Sequence, residues 1–316
     1  MNCLCCGKPL LDHEIEAGWH TKCIRRFFGT KIIPEIDISD STLEGLVVEN
    51  IRKGYTIAGA QKKLSLHLSS DRNPRLTLMN YPNGYILKPQ VEKYPSMPES
   101  EQLVMCMADA CGIQTVPHAL VKTGEELAYI TKRIDRLIET GADVRMLAME
   151  DFCQLDLRLT QDKYRGSYER CAKIIRRYSS RQGFDVSELF LRLVFSFMVG
   201  NSDMHLKNFS LIETSEANER YVLSPAYDLL PVNLILPADK EEFALTMNGK
   251  NRNIRRKDFL VFTDTIGLNR KAAEKIMHKL ILMQPHFEVM IADSLLPGQL
   301  KKDFSTLLAR RVKALQ

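Results

Sequence analysis

The hydrophobic pattern divides the chain into a first half with strand-like spacing and a second half with helical spacing. Between residues 54 and 135, short apolar runs predict strands: KLSLHL, RLTLM, YILKP, HALVK and LAYITKRID. The turn residues of NYPNG and TGEE predict two hairpins, RLTLM with YILKP and HALVK with LAYITKRID. One helix, PESEQLVMCMADACGI, lies inside this part and is expected to end at Gly112.

Helical periodicity dominates after about residue 147. The segments MEDFCQLDLRL, SYERCAKIIRRYSS, SELFLRLVFSFMV and a tail from about Lys257 each repeat their apolar positions with the helical period. Only FSLI, YVLS and EFALTM predict short strands there. A β-rich lobe followed by a larger helical lobe predicts an α+β, two-lobed architecture with the ligand bound in the cleft between the lobes.

Composition places few limits on function. The 316 residues are 45% hydrophobic and 26% charged, as in an ordinary globular protein. No apolar run reaches about 18 residues and no secretion signal is evident, so we expect a cytoplasmic protein without a membrane span. The net charge of +5 permits an acidic partner or a polyphosphate ligand but requires neither.

Cysteine and histidine are concentrated in the first 30 residues. The C-x2-C-x13-H-x2-C spacing is typical of a structural zinc site, with four candidate ligands: Cys3, Cys6, His20 and Cys23. Cys5 and His13 are alternative ligands, and a reduced, metal-free head is the competing interpretation. The later cysteines lie in apolar helical stretches, where we expect buried thiols in a reducing cytosol: Cys106, Cys111, Cys153 and Cys171.

The segment GNSDMHLKNFS places several polar side chains between two apolar elements. Asp203 and Asn208 have the Asp-x-x-x-x-Asn spacing of a kinase catalytic loop. A second carboxylate, Asp228, follows the strand YVLS, and a hairpin of FSLI with YVLS would bring it close to Asn208. Carboxylate and amide oxygens are the ligands that Mg²⁺ prefers. The alternative is that Asp228 only caps the turn before Pro231.

The sequence supports a phosphate-binding segment less strongly than it supports the Asp-x-x-x-x-Asn loop. Gly54 and Gly59 have the spacing of a Walker A loop, but Ala60 and Gln61 replace its Lys and its Ser or Thr, so that motif fails. Lys88 at the end of YILKP and Glu101 in the next helix could form the strand–helix ion pair of kinases. Taken alone, Lys88 could equally be a strand-end lysine that extends to solvent.

Six segments in order resemble the HipA-like serine/threonine kinase toxins: AGAQKK, ILKP, KRIDR, EDFCQL, NSDMHLKNFS and SPAYDLLP. The resemblance covers about residues 50 to 260 and implies a two-lobed protein-kinase-like fold that uses ATP and Mg²⁺. The N-lobe would be small and β-rich, and the larger C-lobe all-helical. The predicted domains are a Cys-rich head (1–30), a β-rich nucleotide-binding lobe (31–135) and a mainly helical catalytic lobe (136–316).

The resemblance also implies residue roles. Asp203 would be the catalytic base, with His205 and Lys207 in the same catalytic set, and Asn208 and Asp228 would bind Mg²⁺. His205 could hydrogen-bond phosphate or hold the loop together, and the sequence does not decide between these roles. Lys88, paired with Glu101, would contact the ATP phosphates. The nucleotide would be covered by a loop of six residues: Ile57, Ala58, Gly59, Ala60, Gln61 and Lys62. Adenine would be contacted through the backbone of a hinge of four residues: Ile130, Thr131, Lys132 and Arg133.

The sequence departs from the family pattern in two ways. We expect the chain to lack the N-terminal subdomain of longer members and so to resemble the short HipT form, in which that subdomain is a separate small protein. Thr56 stands where the family has an autophosphorylated serine, and Ala58 occupies a second serine position. Phosphate on Thr56 would add about −1.5 to −2 charges beside the ATP phosphates and should expel the loop.

The resemblance implies an aminoacyl-tRNA synthetase as substrate and a DNA-binding antitoxin of the HipB type as partner. The basic segment GKNRNIRRKDF could contact DNA or an acidic antitoxin surface, although a solvated face is the more common role of such a run. Two other functions remain open at this stage. One is a small-molecule phosphotransferase, and the other is a catalytically silent binding module within a repressor complex.

Overall fold

The computed structural model describes residues 1–36, 63–69, 74–77, 84–138, 144–214 and 220–316. Contacts divide the chain into two compact units, Met1–Gln102 with Val116–Arg136 and Leu103–Thr115 with Leu137–Gln316. Thr56 and the predicted phosphate loop 57–62 lie outside the described residues. The three predicted domain boundaries stay predictions.

The first unit is built on a six-stranded sheet in the order β1-β3-β2-β4-β6-β5. All neighbours are antiparallel except β1 with β3. The strands are β1 (Glu35–Ile36), β2 (Leu64–Leu68), β3 (Arg75–Thr77), β4 (Tyr85–Lys88), β5 (His118–Thr123) and β6 (Glu126–Lys132). Their apolar alternation places one face in the core, as in β2, where Leu64 and Leu66 are buried and Ser65 is exposed.

The β5–β6 hairpin is confirmed, with Thr123 opposite Glu126 across the two-residue turn. The predicted hairpin of RLTLM with YILKP is wrong, because β3 and β4 both pair with β2 and lie on opposite sides of it. Turn residues indicate that the chain changes direction, but they do not determine which strand becomes the neighbour.

The head of residues 1–30 shares a hydrophobic core with this sheet. Its helix α1 (Thr21–Phe28) ends at Gly29 in the left-handed conformation. The aromatic rings of Phe27 and Phe28 pack against Tyr85 of β4, whose hydroxyl donates to the Phe27 carbonyl over 3.2 Å. The head is therefore attached to the sheet through both apolar burial and hydrogen bonds.

The second unit is mainly helical, as predicted. Helix α2 (Met97–Cys111) begins in the first unit and ends, as expected, before Gly112, which has a φ of +85°. The other helices are α3 (Phe152–Leu155), α4 (Tyr168–Tyr178), α5 (Gln182–Val199), α6 (Val232–Ile235), α7 (Arg256–Thr265), α8 (Arg270–Leu282), α9 (Gln284–Asp293) and α10 (Gly298–Leu315). The central helix is α5, which is buried along most of its length. Among the described residues, no helix is both long and apolar enough to cross a membrane.

In the part of the chain that the structure describes, five further strands form two smaller sheets. Strands β9 (Met149–Asp151), β10 (Ser210–Glu213) and β11 (Tyr221–Leu223) form a three-stranded sheet, and β7 (Arg136–Ile138) pairs with β8 (Val144–Met146). The predicted hairpin of FSLI with YVLS is confirmed, with Leu211 opposite Leu223.

Two predictions for the second unit are wrong. MEDFCQLDLRL is not one helix but β9 followed by the short α3. The Asp151 carboxylate accepts a hydrogen bond from Gln154 N and starts α3, and Leu157 at φ +54° interrupts the helical backbone soon afterwards. EFALTM forms only isolated bridges, Thr246 with Ser167 and Met247 with Lys250.

Candidate active site

The predicted catalytic loop follows α5 in the second unit. Gly200 caps α5 in the left-handed conformation, and the chain then enters a loop that closes on itself. The Asn208 amide nitrogen donates to the Asp203 carbonyl over 2.8 Å, so the two ends of the Asp-x-x-x-x-Asn motif are in contact. Asn208 is buried, whereas the Asp203 side chain is 46% exposed. The loop therefore holds the Asp203 carboxylate at the surface on a fixed backbone.

The Asp203 carboxylate lies between two rings. The Tyr164 hydroxyl donates to Asp203 Oδ1 over 2.8 Å, and His205 Nε2 lies 4.0 Å from Oδ2. The rings of Tyr164 and His205 meet edge to face, with centroids 5.1 Å apart. Sequence reasoning missed Tyr164, because the surrounding segment DKYRGS carries no motif and no periodicity that would single it out.

His205 is held neutral. Burial lowers its pKa to about 4, and the nearby Lys163 ammonium lowers it further, against the opposing charges of Asp203 and Asp228. Its Nδ1 is buried and has no hydrogen-bond partner among the described residues. At neutral pH the ring is therefore an uncharged group beside the two carboxylates.

The β10–β11 hairpin brings the segment around Asp228 to the catalytic loop. The Tyr227 hydroxyl donates to the Lys207 carbonyl over 3.1 Å and lies 2.5 Å from Ser210 Oγ. Tyr227 directly precedes Asp228, and Lys207 directly precedes Asn208, so the two predicted Mg²⁺ ligands lie in adjoining segments. Asp228 itself has a φ of +55°, a left-handed backbone that Asp adopts more readily than most residues and that often marks a functional site.

The Lys207 side chain points to a different partner. Its ammonium donates to Asp151 Oδ2 over 2.6 Å, at the end of β9, where Asp151 is paired with Ser210. This ion pair joins the catalytic loop to the three-stranded sheet. The catalytic role predicted for Lys207 stays a prediction, and in this conformation its charge is directed at Asp151.

The first unit contains the predicted strand–helix ion pair. Lys88 Nζ lies 2.5 Å from Glu101 Oε1, and the two side chains are only 4% and 1% exposed. The Lys88 ammonium also lies 5.1 Å from the centre of the Tyr129 ring. A buried pair of this kind fixes the position of an ammonium group at the end of β4, while its contact with phosphate stays a prediction.

The predicted adenine hinge lies on the strand beside Lys88. In β6, Ile130 and Thr131 are paired on one side with β4 and on the other with β5. The N–H groups of Lys132 and Arg133 donate to the carbonyls of Pro117 and Gly84. A strand paired on both sides has its main-chain groups engaged within the sheet. The adenine contact predicted for the backbone of residues 130–133 stays a prediction.

The head contains the predicted cluster of soft ligands. The ligand atoms of four residues all lie within 4.8 Å of one another: Cys3, Cys6, His20 and Cys23. Cys5 Sγ instead faces the His118 carbonyl at 3.9 Å, and His13 is exposed. The structure thus selects one set of four from the alternatives that the sequence left open.

Most of the basic segment at residues 249–259 is engaged within the protein. Lys250 pairs with Asp258, Arg252 with Glu241, and Arg256 donates to the Leu315 carbonyl. The Lys250 and Arg252 side chains are still 47% and 57% exposed, so contact of this segment with DNA or with an acidic antitoxin surface stays a prediction.

Comparison with solved structures defines the class as a kinase-like fold. A chain of the Shewanella oneidensis complex of HipA, HipB and operator DNA matches with a TM-score of 0.69 at 19% identity, over 85% of this chain and 70% of that one. The Helicobacter pylori proinflammatory kinase CtkA matches with a TM-score of 0.54 at 15% identity, over 80% of this chain and 95% of that one.

The chain belongs to the HipA-like C-terminal domain family, whose pattern matches residues 55–285. A Haemophilus influenzae protein named "Putative kinase" is 28% identical over 92% of this chain and 90% of its own length. The "Putative kinase Y4mE" of Sinorhizobium fredii is 31% identical over 55% of this chain, which spans only 42% of that relative.

Proposed function

We propose that this protein is an ATP- and Mg²⁺-dependent protein serine/threonine kinase. The observation that carries the proposal is the closed catalytic loop, in which Asn208 bonds to the Asp203 backbone while the Asp203 carboxylate stays accessible. Phosphoryl transfer requires mainly positioning and charge stabilisation, and this loop supplies a fixed carboxylate for the acceptor hydroxyl. Membership of the HipA-like family supports the same activity.

The side chains suit a magnesium ion. Because the Asn208 amide nitrogen is bonded to the Asp203 carbonyl, its oxygen is the atom left for a ligand, and Asp228 adds a carboxylate. Both are hard oxygen donors of the kind that Mg²⁺ selects. When bound, Mg²⁺ would neutralise charge on the ATP phosphates. The proposed cofactors of phosphoryl transfer are thus ATP and Mg²⁺.

The chain's own residues would divide the remaining work. Asp203 would accept the proton of the attacking hydroxyl, and Tyr164 would hold the carboxylate through Oδ1 so that Oδ2 faces the substrate. Lys88, held by Glu101, would bind the phosphates. His205 would remain neutral, so its ring would carry no positive charge that offsets the negative charge of the Asp203 carboxylate.

The biological setting follows from the family. We propose that the protein is the toxin of a bacterial toxin–antitoxin module and that it phosphorylates an aminoacyl-tRNA synthetase. A DNA-binding antitoxin of the HipB type is the proposed partner, supported by the matching Shewanella complex with HipB and operator DNA. A separate small protein similar to the N-terminal subdomain of longer family members is a further proposed partner. Any DNA contact would then come through the antitoxin complex.

Regulation by autophosphorylation of Thr56 remains a proposal from the sequence, because Thr56 and the adjoining loop lie outside the described residues. Mass spectrometry after incubation with ATP should find phosphate on Thr56 of the wild type and none in Asp203→Asn. Wild-type protein that transfers phosphate to substrate but never carries it on Thr56 would contradict this regulation.

The central experiment follows labelled phosphate from ATP into an extract of the host bacterium. We expect the wild type to label a protein of synthetase size and Asp203→Asn to label none, since that substitution removes the proposed base. Asp264→Asn is the matched control, because Asp264 is an exposed carboxylate on α7. Label in metabolites alone would indicate a small-molecule phosphotransferase. ATP binding without any transfer would indicate a silent binding module, and either result would overturn the proposal.

A further inference from the structure

The cluster in the head has the dimensions of a tetrahedral metal site. His20 Nδ1 lies 3.3 Å from Cys6 Sγ and 3.8 Å from Cys23 Sγ. Zinc bonds of about 2.3 Å to sulfur and about 2.0–2.1 Å to nitrogen, at tetrahedral angles, separate the two ligand atoms by about 3.6 Å. The observed distances lie on either side of that value, so a zinc ion would need only small adjustments of the side chains.

The orientation of the His20 ring supports the same assignment. His20 Nε2 lies 2.9 Å from the Pro9 carbonyl oxygen, which can only accept a hydrogen bond, so Nε2 carries the proton. The lone pair is then on Nδ1, the nitrogen that faces the thiols. A carbonyl partner that fixes the tautomer of a histidine is the usual outer contact of a metal ligand.

The backbone around the cluster is held by a tight turn and by the start of a helix. Cys3 and Cys6 belong to a tight turn in which the Gly7 N–H donates to the Cys3 carbonyl over 2.9 Å. Gly7 has a φ of +69°, which favours glycine, and the His20 N–H lies 3.4 Å from Cys3 Sγ. Cys23 lies in the first turn of α1. The ligands therefore come in two pairs, one from the turn and one from the start of a helix.

We infer that Cys3, Cys6, Cys23 and Nδ1 of His20 bind one structural zinc ion that ties this turn to α1 and thereby braces the sheet. The residues inside the turn make the contacts with the sheet and with α2. The Leu4 carbonyl accepts from Leu120 N of β5, and the Cys5 carbonyl accepts from Gln102 Nε2. Gln102 is adjacent to Glu101, the partner of Lys88, so the metal would also stabilise the surroundings of that pair.

The test is the metal content of the full chain, expressed without a polyhistidine tag and purified without chelator. Plasma mass spectrometry should find about one zinc ion per chain in the wild type. Cys6→Ser and His20→Ala should lose most of this zinc; Cys6 is the least buried of the three thiols, so its replacement disturbs the core least. Cys106→Ser and His13→Ala are the matched controls and should keep the wild-type content.

A second measurement does not depend on how well a variant folds. Wild-type protein stripped of metal under reducing conditions should bind Co²⁺ and show the visible absorption of a tetrahedral thiolate complex, and zinc should displace it. The inference would be overturned if the purified wild-type protein contained no zinc and bound neither Zn²⁺ nor Co²⁺ when these were added. Iron in place of zinc, or undiminished zinc in both ligand variants, would overturn it as well. None of these results depends on phosphoryl transfer, so they are separate from the fate of the proposed function.

Discussion

The glycine at the end of α5 offers a sharp test of how the catalytic loop is held. Gly200 has φ +71° and ψ +34°, and its N–H bonds back to the last turn of α5. A Cβ at this position would lie 2.6 Å from Leu307 Cδ2 and 3.3 Å from the Asn233 Cβ. Leu307 is buried on α10, so its side chain has little room to move. Gly200→Ala therefore introduces both backbone strain and overlap.

The magnitude follows from these two costs. Left-handed backbone costs an alanine about 1–2 kcal/mol, and overpacking a tight core typically costs about 1–3 kcal/mol. We therefore expect Gly200→Ala to lower the free energy of unfolding by about 2–5 kcal/mol. Because Asn201, Ser202 and Asp203 follow directly, phosphoryl transfer should fall as well.

The assay is urea unfolding followed by circular dichroism, with Gly183→Ala as the matched control. Gly183 lies in the first turn of the same helix, without a left-handed φ and with open space within 4 Å of the position that an added Cβ would take. There the same substitution should stabilise the helix by about 0.5–1 kcal/mol. If Gly200→Ala unfolds at the same urea concentration as Gly183→Ala, the reasoning from backbone conformation and overlap is refuted.

Three further predictions concern single side chains of the candidate site. Tyr164→Phe removes the hydrogen bond to Asp203 and should lower kcat about tenfold with little change in the KM for ATP, as measured by steady-state phosphoryl transfer. Because burial lowers the pKa of His205 to about 4, the unfolded chain binds its proton near pH 6.5 while the folded chain does not. The free energy of unfolding should therefore fall by up to about 3 kcal/mol between pH 6.5 and pH 4, and this loss should be smaller in His205→Asn. Lys88→Met leaves the Glu101 carboxylate buried without its cation and should cost about 3–5 kcal/mol of stability, whereas the double variant Lys88→Met with Glu101→Leu should cost less.

Each of these predictions can fail clearly. Tyr178→Phe removes the hydroxyl of an exposed tyrosine on α4 and is the matched control. An unchanged or faster rate in Tyr164→Phe would exclude a positioning role for Tyr164. An equal pH slope in His205→Asn would show that another group governs stability in that range. Additive losses in the double variant would show that Lys88 and Glu101 are not energetically coupled.

The sequence predicted those parts of the fold and site that depend on residues close together in the chain. The apolar period of α5 and the spacing of Asp203 and Asn208 lie within adjoining segments, so both the helix and the loop could be recognised without tertiary contacts. The pairing of β10 with β11 was also predicted, and these two consecutive strands do pair, whereas the consecutive strands β3 and β4 do not. Asp228 could thus be assigned to the neighbourhood of Asn208 from the sequence.

Several predictions that failed, or were never made, depend on which distant segment becomes the neighbour. The partners of β4 are β2 and β6 rather than the preceding strand β3, and no turn residue encodes that choice. Tyr164 reaches Asp203 across 39 positions of the chain. Cys5 could not be separated from the candidate metal ligands by spacing, because its direction depends on the carbonyl of His118 in a strand more than a hundred residues away.

The head also covers part of an edge of the six-stranded sheet. Strand β5 is the last strand of the six-stranded sheet, and an open strand edge is a template on which other chains can pair. The hydrogen bond from Leu120 N to the Leu4 carbonyl places the head along that edge. Residues 1–30 therefore cover part of the β5 edge, and a chain shortened at this end would leave that edge open to pairing with other chains.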